Sequence, residues 1–169
     1  METAEEAEFS AFVAERAYAL LKTAYVLTGD RHTAEDLVQT ALAKAFARWR
    51  RIDDPESYLR RIIYNDFVSA WRSPRRRVEV TMADPPELPA GLPTDSDTAL
   101  RLLLRDALRR LPPRQRAVII LRYFEDLSVD ETAALLSCRP GTVASQASRA
   151  LTKLRELVPE LDLDFAGDR

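Results

Sequence analysis

The stretch that most constrains the fold of this chain spans residues 111–157, where the pattern predicts three short helices in succession. Ser128 precedes the middle helix and Glu131 follows three residues later, which is the capping-box pattern of a helix start. Pro140 suits the first position of the last helix, where a backbone N–H has no partner in any case. Apolar residues then recur every three or four positions from Val143 onward. Two helices joined by a turn of about four residues predict a helix-turn-helix unit, whose second helix enters the major groove of DNA.

The outward face of that last helix is rich in side chains that reach bases and phosphates, namely Ser, Thr, Gln and Arg. No carboxylate occurs between Arg139 and Arg155, a stretch that contains four basic residues. The alternative is a solvated face of a helical hairpin, but the capping box, the tight turn and the lack of acids favour DNA. The residues predicted to contact duplex DNA are Arg139, Thr142, Ser145, Gln146, Ser148, Arg149 and Lys153.

Composition excludes several classes of protein and site. The single cysteine, Cys138, and the single histidine, His32, allow neither an internal disulfide nor a cluster of metal ligands, so we predict no metal site and no cofactor. No apolar run approaches the roughly 18 residues of a membrane span, and the first residues are acidic. We therefore predict a cytoplasmic protein without membrane insertion. Four glycines and few alternating apolar runs predict an all-α fold.

The net charge of −2 is unusual for a protein that binds DNA, but the charge is arranged in blocks. Residues 44–77 contain ten basic and four acidic residues, and residues 101–123 contain seven basic and one acidic. Residues 78–100, between them, contain five acidic and no basic residues. Because charges act over a Debye length of about 8 Å, local patches rather than the net charge set the attraction to phosphate.

Apolar periodicity predicts two helices in the first part of the chain. The first spans residues 8–27 and is ended by Gly29. The second is predicted to be capped by Thr33 and to run to about Trp49. Both have a broad apolar face, which predicts that they pack against each other and against a third helix.

The third predicted helix starts at Asp54 or Pro55 and mixes basic with aromatic side chains on one face. Aromatic rings stack on bases, at about 1–3 kcal/mol each, while Arg follows phosphate, so this face suits single-stranded nucleic acid. The alternative, in which Tyr64 and Trp71 are core and the arginines are merely solvated, stays open on composition alone. The residues on this face are Arg60, Arg61, Tyr64, Asn65, Val68, Trp71 and Arg72.

A proline-rich, acidic segment without helical periodicity separates this helix from the C-terminal ones. We therefore predict two small helical domains, at residues 1–72 and 99–158, joined by a flexible linker at 73–98. A short acidic tail at 159–169 follows.

Three segments together resemble the bacterial sigma factors of the extracytoplasmic-function (ECF) group, and the actinobacterial SigE subgroup in particular. AEDLVQTALAKAFARW, residues 34–49, is similar to the part of sigma region two that docks on the clamp of RNA polymerase. YLRRIIYNDFVSAWR, residues 58–72, resembles the part that melts and reads the minus-ten element. LPPRQRAVIILRYFEDLS and CRPGTVASQASRAL resemble region four, which reads the minus-thirty-five element. The match covers nearly the whole chain, in the expected order.

The resemblance implies a non-enzymatic subunit that binds core RNA polymerase through its clamp and flap and directs promoter-specific initiation. Asp36, Leu37 and Gln39 match positions that contact the clamp. Asn65 matches the residue that helps to hold a base flipped from the minus-ten strand, and residues 51–56 match the loop that builds its pocket. An anti-sigma factor is a candidate further partner. The minus-ten residues implied are Asp53, Asp54, Arg60, Arg61, Asn65, Trp71 and Arg72.

The chain departs from the family pattern on the recognition helix. Ala144 and Gln146 stand where the family often has a basic residue, and Arg139 stands where a serine usually caps the helix. Arg is a poor N-cap, although it can meet a phosphate.

The sequence gives less support to two other functions. A stand-alone helix-turn-helix regulator predicts a receiver or ligand domain ahead of the motif, whereas residues 1–72 show no alternating βα pattern. A helical enzyme needs a site, and one His, one Cys and no Gly-rich phosphate loop leave little to build one from.

Overall fold

The computed structural model describes residues 1–70 and 98–160. The chain divides into two compact units, Met1–Thr81 and Met82–Arg169. Throughout the described residues every regular element is helical, which confirms the all-α prediction. Most of the predicted linker and the tail from residue 161 lie outside the described residues, as do Trp71 and Arg72.

The first unit contains three long helices, α1 (Ala4–Thr28), α2 (Arg31–Phe46) and α3 (Pro55–Ala70). A 3₁₀ turn, Trp49–Arg51, lies between α2 and α3. Gly29 ends α1 in the left-handed conformation, with φ of 70°, as predicted. Helix α2 ends three residues before the predicted Trp49, because the chain tightens into the 3₁₀ turn there.

The N-cap of α2 is Asp30, not Thr33 as predicted. The Asp30 carboxylate accepts the Thr33 N–H at 2.9 Å and the Thr33 hydroxyl at 2.6 Å. Both residues are good caps, but Gly29 turns the chain immediately before Asp30, which places the aspartate at the first free N–H groups. Thr33 therefore lies inside the first turn of the helix.

The core of the first unit is the apolar seam between the three helices. Tyr25 and Leu27 of α1, Val38 of α2, and Leu59 and Ile63 of α3 are all at most 6% exposed. Small residues let the helices approach closely, since Ala24, Ala34, Ala41 and Ala45 are fully buried. The outward faces of α2 and α3 are thus held on a packed frame.

The second unit contains α4 (Thr98–Arg110), α5 (Pro113–Ile119), α6 (Val129–Leu136) and α7 (Pro140–Leu157). Helix α5 continues into a π-helical turn, Ile120–Phe124. An apolar cluster in the core of this unit joins the end of α4 to α5 and to the inner face of α7. The members of that cluster are Ala107, Leu108, Leu111, Ile119, Ala150, Leu154 and Val158.

Helices α6 and α7 form the predicted helix-turn-helix, with a three-residue turn between them. The capping box at the start of α6 is confirmed: Ser128 Oγ accepts the Glu131 N–H at 3.0 Å, and Glu131 Oε2 accepts the Ser128 N–H at 2.7 Å. The end of α6 is a Schellman turn, in which the Cys138 N–H donates to the Ala133 carbonyl at 3.0 Å and Ser137 is left-handed. The two ends fix where α7 leaves α6.

A buried arginine completes the end of α4. Arg116 on α5 is 2% exposed, and its Nη2 donates to the carbonyls of Arg109 at 2.7 Å and Leu111 at 3.1 Å. Carbonyls at a helix C-terminus have no partner within the helix, and a cation is favourable there. Burial, followed by the charge of Arg109, lowers the pKa of Arg116 to about 10, so the guanidinium is charged at neutral pH.

We expect Arg116→Met to destabilise the second unit by about 2 kcal/mol. The Leu111 carbonyl, in a buried hydrogen bond, and the Arg109 carbonyl, in a part-buried one, lose their donor, at roughly 1–3 kcal/mol for a buried group, and removal of a buried charge offsets part of that loss. Hydrogen exchange of α5 and α7 amides at increasing urea measures the effect in this unit. Arg110→Met, which removes only an exposed pair with Asp106, is the control and should change stability by less than about 0.5 kcal/mol. Equal losses in both variants would contradict the role of Arg116.

Candidate nucleic-acid and polymerase interfaces

The outward face of α7 carries the predicted duplex-binding residues together. Val143, Ala147, Ala150 and Leu154 are buried on the opposite face, so the helix presents its polar side chains to solvent. Thr142, Ser145 and Arg149 follow one another at three- and four-residue spacing, which aligns them in one stripe. Of the predicted residues, Arg139, Ser145, Ser148, Arg149 and Lys153 are exposed, and Thr142 and Gln146 are half-buried.

The first turn of α7 leaves Arg139 available to a ligand. Arg139 is the N-cap, and its side chain makes no capping hydrogen bond, as expected for arginine. Its carbonyl accepts the N–H groups of Thr142 at 2.9 Å and Val143 at 3.2 Å, which closes the turn. Ala144, which follows Val143 and is one of the departures from the family pattern, is exposed.

Of the three residues of α2 that are predicted to contact a protein partner, two are exposed and one is buried. Asp36 and Gln39 are exposed, and their side chains make no hydrogen bond or ion pair to any described residue. Leu37 is only 8% exposed and belongs to the core of the first unit. The surface that α2 offers to a partner therefore includes Asp36 and Gln39, whereas the clamp contact of Leu37 stays a prediction.

The sequence left open whether the aromatic side chains of α3 are core or contact nucleic acid, and the structure decides this for one of them. Tyr64 is completely buried, so this aromatic ring is core and does not stack on a base. Arg61 is exposed, and Arg60 and Asn65 are half-buried. The Asn65 amide donates through Nδ2 to the carbonyl of Arg61 at 2.8 Å, which fixes the direction of the amide. Helix α3 thus presents arginines and an oriented amide.

The loop before α3 holds the two predicted acidic residues, both of them exposed. Asp54 caps α3, since its carboxylate accepts the Ser57 hydroxyl at 2.6 Å and the Ser57 N–H at 3.2 Å. These hydrogen bonds, the hydroxyl first, hold the pKa of Asp54 below its usual value. Asp53 makes no side-chain hydrogen bond to any residue that the structure describes. Asp54 therefore has a local structural role, whereas Asp53 is open to a ligand.

Of the 3₁₀ turn beside this loop, only Arg51 lies in the range predicted as part of a site. Arg50 pairs through Nε with Glu5 Oε2 at 2.7 Å, so the turn is tied to the start of α1. The Trp49 ring packs on Phe9 and Phe12, with centroids 5.1 and 5.2 Å apart. Partners so far apart in sequence leave no local pattern that could have revealed them.

Both halves of the chain match models of known families. Residues 12–77 match the model of sigma-70 region 2, and residues 101–154 match that of sigma-70 region 4. The RNA polymerase sigma-E factor of Streptomyces coelicolor is 43% identical over 160 residues, which cover 93% of this chain and 89% of that protein. The chain belongs to the sigma-70 family of RNA polymerase sigma factors. The RNA polymerase sigma-E factor of Streptomyces antibioticus is 41% identical over 97% of this sigma factor and 92% of its own length.

Solved structures agree with the assignment to the ECF group. The sigma factor RpoE of Bartonella quintana, crystallised with the anti-sigma factor NepR, is 30% identical to this sigma factor. The likeness has a TM-score of 0.68 and covers 92% of this chain and 98% of that one. CnrH, solved with the cytosolic domain of CnrY, is 24% identical with a TM-score of 0.58, which supports the fold.

Membership in the family decides between the functions weighed from the sequence. The chain is a sigma factor that acts with core RNA polymerase in promoter-specific transcription initiation, and the stand-alone regulator is not favoured. Among the described residues, no helix is both long and apolar enough to cross a membrane.

Proposed function

We propose that this sigma factor divides promoter recognition between its two units, with α7 on the minus-thirty-five duplex and α3 on the minus-ten strand. Helix α2 binds the polymerase clamp. The observation that carries the proposal is the acid-free outward face of α7. The protein acts as a non-enzymatic specificity subunit, in the cytoplasm where its polymerase works. Its domains are residues 1–72 and 99–158, joined by the acidic linker.

Helix α7 suits the major groove because it combines base readers with phosphate contacts. The residues from 139 to 155 carry four basic and no acidic side chains. Ser145 and Thr142 lie in one stripe with Arg149, which can donate two hydrogen bonds to a guanine. Arg139 and Lys153 lie towards the two ends of the helix, where they can contact phosphates and set the register of the helix in the groove.

Helix α3 suits a melted strand because an amide of fixed direction stands beside arginines. Base flipping costs a few kcal/mol, and hydrogen bonds to the edge of the flipped base recover part of it. Asn65 can make such hydrogen bonds to the base edge, while Arg60 and Arg61 follow the phosphates. Trp71 and Arg72 keep their proposed roles from the sequence alone.

The clamp contact is proposed for the exposed face of α2, and an anti-sigma factor is proposed as a second protein partner. Asp36 and Gln39 can accept or donate hydrogen bonds across an interface without giving up a contact inside the fold. The Bartonella quintana relative was crystallised with its anti-sigma factor, which supports a partner of that class for this chain.

We expect Ala144→Arg to strengthen binding of the holoenzyme to minus-thirty-five DNA and to steepen its salt dependence. One additional phosphate contact adds about 0.9 to the slope of log affinity against log salt concentration. Affinity for promoter DNA at four salt concentrations measures that slope. Ala99→Arg, an exposed alanine of α4, adds the same charge away from α7 and is the control. Equal slopes for Ala144→Arg, Ala99→Arg and the wild type would show that position 144 does not face DNA.

A further inference from the structure

The N-terminal part of α1 contributes no buried residue to the core of the first unit. Every buried residue of α1 lies at or after Leu20. Before that position, spacings of four, three and four residues place four side chains along one face of the helix. The residues of this loop-contact face are Glu5, Phe9, Phe12 and Arg16. All four contact the connection between α2 and α3, residues 47–54, or the helical turns on either side of it.

The two aromatic residues in the middle of this face hold the 3₁₀ turn. The Phe9 ring centroid lies 5.1 Å from that of Trp49 and 4.9 Å from that of Phe46, and the Phe12 centroid lies 5.2 Å from that of Trp49. Aromatic rings attract one another at these separations in tilted and edge-on arrangements. The tryptophan of the 3₁₀ turn is therefore packed against α1.

An ion pair lies on each side of these aromatic contacts. Arg50 Nε lies 2.7 Å from Glu5 Oε2, which joins the 3₁₀ turn to the first turn of α1. Arg16 Nη2 lies 3.4 Å from Glu56 Oε2, which joins the first turn of α3 to the same helix. The loop-contact face thus holds the connection near both of its ends.

The connection has few other ties. The N–H groups of Arg51 and Ile52 donate to carbonyls three residues earlier, at 2.8 and 3.2 Å, and Asp54 caps α3. All of these bonds are local. Among the described residues, the hydrogen bonds, ion pairs and ring contacts that residues 47–54 make outside the connection and its two flanking helices all go to α1. Its conformation therefore depends on the loop-contact face.

We propose that the loop-contact face of α1 positions the base-reading loop, so that Glu5 and Arg16 are positioning residues for minus-ten recognition that act through the loop and not on a base. The family resemblance assigns the pocket of the flipped base to residues 51–56, and the face holds the turn before that pocket and Glu56 at its end. A loop that binds in one conformation loses affinity in proportion to the time that it spends in others. The proposal rests on the minus-ten role proposed for the first unit.

Hydrogen exchange of the amides of residues 48–54 in the full-length protein tests whether α1 holds the connection. Glu5→Arg places two like charges together and should speed exchange of these amides by about 3-fold, because a single exposed ion pair is weak. The double variant Glu5→Arg with Arg50→Glu exchanges the two charges and should restore the wild-type rates. The control is Glu15→Arg, since Glu15 is exposed on α1 and its side chain makes no hydrogen bond or ion pair to any described residue.

Initiation by holoenzyme, on promoters that carry each base at the position affected by Asn65→Ala, tests the link to base reading. The preference for the best base over the worst should fall by about 3-fold in Glu5→Arg and in Arg16→Glu. It should fall by about 10-fold when both are reversed, because the two residues lie about 16 Å apart along α1 and their effects multiply. Arg16→Lys, and the charge exchange with Arg50, should keep the preference. A general loss of stability lowers initiation with all bases alike and leaves this ratio unchanged.

The outcomes separate the role of α1 from the function on which it rests. A loss of preference that returns on charge exchange supports the proposal. Wild-type exchange rates in both Glu5→Arg and Arg16→Glu overturn it, since α1 then does not hold the connection. Faster exchange with an unchanged base preference also overturns it. If the wild-type holoenzyme distinguishes bases at no minus-ten position, the minus-ten role is refuted and this proposal with it, while the exchange rates still report whether α1 holds the connection.

Discussion

Asp36→Ala is expected to weaken the binding of this sigma factor to core RNA polymerase by about 30-fold or more. A hydrogen-bonded carboxylate at the centre of an interface contributes about 2 kcal/mol or more, and 1.4 kcal/mol corresponds to a factor of ten. The fold should not change, because Asp36 is exposed and its carboxylate makes no hydrogen bond or ion pair to any described residue. Fluorescence titration of labelled sigma factor with core polymerase measures the affinity directly.

The matched control for this change is Glu15→Ala. Glu15 is also an exposed acid on a helix of the first unit, and its side chain makes no hydrogen bond or ion pair to any described residue. Its removal changes the net charge by the same amount, so any general electrostatic effect appears in both variants. Comparable affinities for the Asp36 and Glu15 variants would place the clamp contact elsewhere on the unit.

Asn65→Ala is expected to lower promoter initiation by about 30-fold while leaving the affinity for core polymerase unchanged. A side chain that reads a base edge contributes about 1–3 kcal/mol, and the flipped base needs that energy to stay out of the stack. Asn65→Asp should be worse than alanine. A carboxylate cannot donate to the Arg61 carbonyl as the Asn65 amide does at 2.8 Å, and it repels the phosphates of the strand.

A template with a preformed bubble separates reading from melting in the Asn65 variants. Unpairing is already complete in such a template, so the flipping cost is lower and the defect should shrink. Run-off yield on duplex and bubble templates gives the two values. A defect of the same size on both templates would show that Asn65 acts after melting, and wild-type yield on both would remove it from the minus-ten contact.

The features predicted correctly from sequence are those that local chemistry decides. The Ser128–Glu131 capping box, Pro140 at the start of α7 and Gly29 at the end of α1 each depend on residues within one helical turn. The prediction of the α2 N-cap was wrong because Asp30 and Thr33 are both suitable caps, and only the path of the chain after Gly29 selects between them.

In the candidate interfaces, too, the sequence predicts what local pattern decides and does not predict what packing decides. The outward face of α7 follows from the apolar period of the helix, so its exposed residues were predicted together. The burial of Tyr64 stayed open on sequence alone, because only packing against the neighbouring helices decides which side chains at the edge of a polar face are buried. The Glu5–Arg50 pair joins residues distant in sequence, and only the folded chain brings them together.

Run-off transcription from a promoter library, with purified sigma factor added to sigma-free core polymerase, tests the central claim most directly. The wild-type protein should initiate at a set of promoters that share minus-thirty-five and minus-ten elements at constant spacing. Asp36→Ala should lose initiation through core binding, and Asn65→Ala should lose it through melting. No initiation on any template, together with tight sequence-specific binding to duplex DNA without polymerase, would contradict the claim and indicate a stand-alone regulator.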